Sequence, residues 1–97
     1  MITEASENKL LLDNELTIVD FWASWCGPCK MQLPILEKLS NNVKIVKVNI
    51  DDNPFIAQQN LIQSVPTLIV FKNKIEVERF VGVQTEDFIK DKISRYV

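Results

Sequence analysis

Residues 17–50 have the sequence TIVDFWASWCGPCKMQLPILEKLSNNVKIVKVNI, and this stretch decides the fold. Its two ends, Thr17–Ala23 and Val43–Ile50, are rich in β-branched and aromatic residues, which predicts two strands. Between them, Cys26–Asn41 has apolar residues separated by short gaps, which favours a helix. A strand, a helix and a second strand joined in this way predict a βαβ unit, whose strands run parallel.

The sequence after this unit predicts a short helix, a hairpin and a last helix. Asn53 followed by proline indicates an N-cap and a helix that continues to about Asn60. Thr67–Phe71 and Ile75–Val81 flank a short polar link and predict an antiparallel hairpin. Thr85 can cap the last helix, whose apolar stripe should pack on the sheet; the stripe consists of Phe88, Ile89, Ile93, Tyr96 and Val97.

The N-terminal residues predict a very short strand at residues 1–3 and a first helix at Glu4–Asp13. With 97 residues, 46% of them hydrophobic and 25% charged, the chain 1–97 is expected to form a single domain. The net charge of −2 comes without a Lys/Arg cluster, which argues against a nucleic acid partner. The first residues carry acids where a signal peptide carries Lys or Arg, and no apolar run reaches the ~20 residues of a membrane span. A soluble cytoplasmic protein without a membrane partner is therefore expected.

Both cysteines of the chain, Cys26 and Cys29, lie in the string WCGPC. A structural zinc site needs four Cys or His ligands, but the chain has two Cys and no His, so a metal or cluster would have to be shared between subunits. A structural disulfide here would close a loop so short that it removes little chain entropy. Redox catalysis is favoured over both. Cys26 at a helix N-terminus would be stabilised as a thiolate. Cys29 lies on the same side of the first turn, where it is placed to act as the resolving thiol.

Asp20 is a carboxylate inside an otherwise apolar strand. One interpretation is a polar group at a strand end whose partners are backbone or water. The other is that burial raises its pKa, so that it exchanges protons with a nearby thiol close to neutral pH. Lys47, in the next strand, is either its cationic neighbour or part of a solvated strand face.

Three further residues near these positions have open interpretations. Pro66 either begins a strand or follows a cis peptide bond that leaves backbone groups open to a ligand. Of Trp22 and Trp25, one is expected to fill the core and the other to line a binding surface beside Cys26.

The string DFWASWCGPCK at residues 20–30 resembles the active site of the thioredoxin family. Further matches follow in the same order: KVNID at 47–51, VPTL at 65–68, FKN at 71–73 and VG at 81–82. The resemblance extends from about Thr17 to the C-terminus. It implies an α/β protein with the thioredoxin fold, in which a central mixed sheet combines an N-terminal βαβ unit with a C-terminal hairpin and carries helices on both faces.

The resemblance also implies an activity and a role for each site residue. The implied function is that of a general protein-disulfide reductase, an oxidoreductase that cycles between dithiol and disulfide with no bound cofactor or metal and supports cell redox homeostasis. Cys26 would attack the substrate disulfide, Cys29 would resolve the mixed disulfide, and Asp20 with Lys47 would assist proton transfer. The expected substrate-binding residues surround the cysteines: Trp25, Gly27, Pro28, Ile50, Val65, cis Pro66, Val81, Gly82 and Val83.

The partners that the resemblance implies are a reductase and a set of clients. A separate thioredoxin reductase, linked to NADPH or ferredoxin, would supply electrons. Disulfide-containing clients such as peroxiredoxin, ribonucleotide reductase and methionine sulfoxide reductase would receive them, and the chain is expected to be monomeric. Two alternative functions are a thioredoxin-like subunit that only binds a partner and a reductase dedicated to one client.

Two features of the sequence bear on this resemblance. Gly-Pro between the cysteines resembles the reducing members of the family, whereas the oxidising branches usually carry a His there. The hairpin link has Asn73-Lys74 where the family commonly has Asn-Gly. Because a positive φ at Lys74 would be mildly strained, the sequence leaves the turn type open.

Overall fold

A computed structural model describes residues 2–97, which contain five strands. The strands are β1 (Ile2–Glu4), β2 (Thr17–Trp22), β3 (Lys44–Asn49), β4 (Thr67–Lys72) and β5 (Ile75–Val81). They form one mixed sheet with the order β1-β3-β2-β4-β5, in which β1 and β2 run parallel to β3, and β4 is antiparallel to β2 and to β5. The helices are α1 (Gly27–Leu39), α2 (Pro54–Gln59) and α3 (Glu86–Ile93), and a 3₁₀ turn follows at Ser94–Tyr96. The predicted βαβ unit and C-terminal hairpin are confirmed.

Strand β2 contributes to both faces of the sheet because alternate side chains of a strand point in opposite directions. Ile18 packs with Leu36 of α1 and Ile89 of α3 on one face. Phe21 packs with Ile56 of α2 on the other. Helices therefore cover both faces, as predicted, and α1 and α3 share one of them.

The predicted helix at Glu4–Asp13 is wrong. The chain turns back there, with φ of +57° at Glu7 and +54° at Asn8, values that a right-handed helix does not contain. Leu10 and Leu12 are half-buried against the face that α2 covers, whereas Leu11 is exposed. This alternation is typical of extended chain and not of a helix. The strand predicted at residues 1–3 corresponds to β1, and Met1 lies outside the described residues.

Asn53 precedes α2 as predicted, but its side chain does not cap that helix. Its Oδ1 accepts a hydrogen bond from the backbone N–H of Asn8 at 3.0 Å, and its Nδ2 donates to the carbonyl of Asn49 at 3.1 Å. Asn8 supplies the cap instead, because its Oδ1 accepts from the N–H of Phe55 at 2.9 Å. The buried Asn53 thus ties the N-terminal turn to the start of α2.

The link between β4 and β5 is a two-residue turn with φ of +53° at Asn73 and +68° at Lys74. Positive φ at both central positions defines the type I′ turn, whose twist matches that of the strands. The turn therefore keeps the usual hairpin geometry although Lys74 carries a Cβ.

The last helix begins as predicted, because Thr85 Oγ1 accepts a hydrogen bond from the N–H of Phe88 at 3.2 Å. Ile89 and Ile93 are buried on the sheet, but the predicted stripe is wrong at two positions, because Phe88 is 39% exposed and Val97 is 84% exposed. The α-helix stops at Ile93 and tightens into the 3₁₀ turn, which changes the angle between successive residues and turns Val97 away from the sheet.

Candidate active site

Cys26 and Cys29 form a disulfide at the N-terminus of α1, with their Cα atoms 5.3 Å apart. Cys26 is the N-cap, and its Sγ accepts a hydrogen bond from the N–H of Cys29 at 3.1 Å. Pro28 lies in the first turn of α1, where its missing N–H costs nothing. The positive end of the helix dipole points at the Cys26 sulfur, so a thiolate there is stabilised once the pair is reduced.

The sulfur of Cys26 faces the segment that precedes β4. It lies 3.6 Å from the carbonyl oxygen of Val65, and the Val65–Pro66 peptide bond is cis. Each cysteine is only 4% exposed, and the pair packs with Ala23. A disulfide sulfur carries no proton, so the contact with Val65 is a van der Waals approach in the oxidised form. In the reduced form the same oxygen can accept from the thiol.

Asp20 is 1% exposed inside β2, and its Oδ1 has no hydrogen-bond partner within the described chain. It lies on the α1 side of the sheet and lines a cavity of about 60 Å³ together with Cys29. Burial raises the pKa of Asp20 from 3.8 to about 7, the positive charge of Lys47 opposes this rise, and the negative charge of Glu4 adds to it. The carboxyl group can therefore gain or lose a proton near neutral pH.

Three residues in register across the sheet connect this carboxyl to the surface. Lys47 on β3 lies opposite Asp20 on β2, and Glu4 on β1 lies opposite Lys47. The Lys47 Nζ is 3.9 Å from the Glu4 carboxylate and 4.1 Å from the centre of the Trp22 ring. Lys47 is thus the charged neighbour of Asp20, and its ammonium group is shared with a more exposed acid and an aromatic face.

The two tryptophans both lie near the cysteines, and neither fills the core. Trp22 is half-buried and donates its indole N–H to Glu4 Oε2 at 3.2 Å, which corrects the expectation that one indole would be a core residue. Trp25 is 68% exposed and donates to Asp51 Oδ2 at 2.9 Å. This bond holds the Trp25 ring in place without removing its face from solvent.

Several of the residues expected to bind substrate form a rim around the cysteines. The N–H of Gly82 donates to the carbonyl of Pro66 at 2.9 Å, which brings the end of β5 beside the cis peptide. Gly82 has a φ of +91°, which L-residues rarely adopt, so glycine is required there. Val81 and Val83 on either side are exposed at 63% and 38%. The other expected rim residues are Gly27 and Pro28, which are exposed, and Ile50 and Val65, which are half-buried against the cysteines.

Sequence reasoning missed three polar residues near the site: Glu4, Asp51 and Gln32. Glu4 and Asp51 act through partners far away in sequence, so no local pattern reveals them. Gln32 did leave a signal, because it occupies a core position of α1 together with Cys29, Leu36 and Leu39. A polar side chain at such a position must find buried partners.

Within residues 2–97, no group of three or more His, Cys, Asp or Glu side chains is arranged to hold a metal ion. The described helices are all too short or too polar to cross a membrane.

The fold and the disulfide at a helix N-terminus define a dithiol–disulfide oxidoreductase. The thioredoxin family model matches residues 1–95. A thioredoxin of Rickettsia felis is 40% identical over 99% of this chain and 96% of its own length, and one of Porphyra purpurea is 38% identical over 99% and 94%. The reduced thioredoxin pre-protein of Schistosoma mansoni superposes with a TM-score of 0.85 at 31% identity, covering 99% of this chain and 98% of that one.

The chain belongs to the thioredoxin family. Its redox-active group is the Cys26–Cys29 disulfide, and its chemistry is electron transfer by dithiol–disulfide exchange with protein disulfides.

Proposed function

We propose that this protein is a general protein-disulfide reductase that works in the cytoplasm. The observation that carries the proposal is the environment of the Cys26–Cys29 pair. Cys26 caps the N-terminus of α1, whose partial positive charge stabilises its thiolate, and the chain has no His to stabilise the thiolate further. A thiolate that is less stabilised gives up its electrons more readily, which favours reduction of other disulfides.

The proposed reaction has two steps. The Cys26 thiolate attacks one sulfur of the client disulfide, which forms a mixed disulfide and releases the first client thiolate. The Cys29 thiol then gives its proton to the Asp20 carboxylate, and the Cys29 thiolate attacks the Cys26 sulfur. The Cys26–Cys29 disulfide forms and the second client thiolate leaves, so two electrons pass to the client. Support for the part of Asp20 comes from the cavity that it shares with Cys29 and from its pKa of about 7.

Lys47 would tune this proton transfer through its charge, since it lies opposite Asp20 in the sheet. The client backbone would dock on the rim around the cysteines, which combines exposed residues with the half-buried Ile50, Val65 and Gly82 and the buried Pro66. The docking rim is defined here as Trp25, Gly27, Pro28, Ile50, Val65, Pro66, Val81, Gly82 and Val83. Exposed apolar side chains beside a reactive disulfide favour such a docking role.

The wider setting is part of the same proposal. Electrons would come from a separate thioredoxin reductase, and clients would be proteins with accessible disulfides. We propose one domain over residues 1–97 and a monomer in solution, supported by a single sheet whose two faces are covered by the three helices. A cytoplasmic location fits a cysteine pair that must be kept reduced to work.

The experiment that tests this function is the reduction potential of the Cys26–Cys29 pair. The protein is equilibrated in glutathione and dithiothreitol buffers, and the fluorescence of its tryptophans reports the redox state. A potential below that of the cytosolic glutathione pool is expected. A potential at the oxidising end would mean that the protein forms disulfides, and the reductase proposal would then fail.

The roles of the two cysteines have a separate test. Cys29→Ser should abolish multiple turnover of insulin, a two-chain protein held by disulfides, and should accumulate a mixed disulfide through Cys26. Unchanged turnover would contradict the two-cysteine mechanism. A protein that only binds its partner would instead keep its partner and its cellular role after replacement of both cysteines.

A further inference from the structure

Gln32 is a fully buried amide on the sheet-facing side of α1, one turn after Cys29. Its Oε1 accepts a hydrogen bond from the N–H of Gln84 at 2.8 Å, and its Nε2 donates to the carbonyl of Gln84 at 3.1 Å. The side chain thus pairs with both polar groups of one residue in the loop between β5 and α3. The Gln32 amide thus makes the two hydrogen bonds with Gln84 that the backbone of a neighbouring strand would make.

The loop that Gln32 holds carries part of the proposed docking rim. Val81 and Val83 are exposed on it, and Gly82 donates to the carbonyl of Pro66. The segment Val81–Gln84 begins at the end of β5, where Val81 pairs with Thr67, and beyond the strand it is fixed at two points, at Pro66 on one side and at the redox helix α1 on the other. Within the same segment, the Gln84 side chain also donates to the carbonyls of Val81 and Gly82, and these two hydrogen bonds are long at 3.4 and 3.3 Å.

An apolar residue at position 32 would fill the same core site, so packing alone does not require an amide. The amide adds two directional hydrogen bonds, which set both the distance and the orientation of the loop relative to Cys29. Without them, the N–H and the carbonyl of Gln84 lose their partners, and the loop is free to move toward water to satisfy them.

We propose that Gln32 is a positioning residue for protein clients: its amide holds the Val81–Gln84 segment against the redox helix, so that the docking rim is formed before a client binds. The proposal rests on the function proposed above. A client that docks on a preformed rim loses less free energy to ordering that rim. A small disulfide that reaches only the sulfur of Cys26 does not use the rim and does not depend on Gln32.

The test compares Gln32→Met with the wild-type protein on two substrates at a fixed dithiothreitol concentration. One substrate is insulin and the other is the small aromatic disulfide dithiobis(nitrobenzoate). Gln32→Met should raise KM for insulin roughly fivefold, the factor that corresponds to one net hydrogen bond, and should change kcat/KM for the small disulfide less than about twofold. Gln58→Met is the matched control, because Gln58 is exposed on α2, and both substrates should be unaffected.

A second measurement uses the wild-type protein alone. Amide hydrogen exchange should show the Gln84 N–H protected, while the N–H of the exposed Gln63 exchanges freely. An unprotected Gln84 amide overturns the proposal whether or not the variant folds. An unchanged KM for insulin, or an equal loss on both substrates, also overturns it, because each would limit Gln32 to a packing role. If the wild-type protein reduced the small disulfide but not insulin, the proposed function would fail first and this inference with it.

Discussion

Replacing Asp20 by Asn should stabilise the oxidised protein, and the gain should depend on pH. Burial raises the pKa of this carboxyl from 3.8 to about 7. Between these two values the unfolded chain has released its proton while the folded chain keeps it, so stability falls as pH rises. Above the folded pKa both states are ionised and the loss is complete. Asn removes the charge from both states and with it the whole effect.

The size of the effect follows from the difference between the two pKa values. At about 1.36 kcal/mol per pKa unit, the raised pKa of Asp20 lowers the free energy of unfolding by about 4 kcal/mol at pH 8, where the buried carboxyl is ionised, and by about 2 kcal/mol at pH 5, where it is protonated. The advantage of Asp20→Asn should therefore grow by about 2–3 kcal/mol over this interval. For a domain of this size, such a change corresponds to a rise in Tm of roughly 10–20 °C.

Urea unfolding at pH 5, 6, 7 and 8, followed by tryptophan fluorescence, measures the effect. The oxidised form is used because its cysteines do not titrate. The chain also has no His side chain whose titration would add to the pH dependence between pH 5 and pH 8. Asp52→Asn, at an exposed position, is the matched control and should show no such pH dependence. An advantage of Asp20→Asn that stays constant within about 0.5 kcal/mol would refute the raised pKa, and a clear loss of stability would show that Asp20 has a structural role.

Two further predictions concern backbone positions. Lys74→Gly should stabilise the protein by about 0.5–1 kcal/mol, since Gly adopts the positive φ of the hairpin turn without strain. Lys74→Ala keeps a Cβ and should not stabilise it, so equal stability of the two variants would contradict the argument. Asn8→Ala should cost about 1 kcal/mol in urea unfolding, because it removes the side chain that caps α2. Glu7→Ala, in the same turn, removes no cap and should cost less.

The sequence predicts the parts of this fold that depend on local pattern. Two apolar strands around an amphipathic helix predict the βαβ unit, and a proline at the first turn of that helix predicts its start beside Cys26. The N-terminal residues do not obey this logic. Leu10 and Leu12 are half-buried beyond a turn that is tied to the start of α2, where the N–H of Asn8 donates to the side chain of Asn53 across 45 residues. A side-chain bond over that separation leaves no periodic signal, so the sequence alone does not exclude a helix at Glu4–Asp13.

The candidate site also has residues that the sequence reveals and residues that it does not. Asp20 can be recognised from the sequence because a charge in an apolar strand violates a local rule, and such violations concentrate where function requires them. Gln32 violates the same rule in α1, but its signal is weaker because it is an uncharged residue in a helix with polar neighbours. The partner of Gln32 is the backbone of Gln84, 52 residues away, and backbone groups carry no residue-type signal at all.

The cost of Asp20 is itself an argument about function. A domain of about 100 residues is stable by roughly 5–15 kcal/mol, so a charge that costs about 4 kcal/mol takes a large share of that total. This loss of stability and the raised pKa have the same cause, because the burial that destabilises the ionised carboxyl is what brings its pKa near 7. One cannot be removed while the other is kept. A Lys47 closer to Asp20 would stabilise the carboxylate and return its pKa toward the ordinary value. The structure instead holds the Lys47 Nζ over Trp22 and near Glu4, which leaves the carboxyl destabilised and ready to accept a proton.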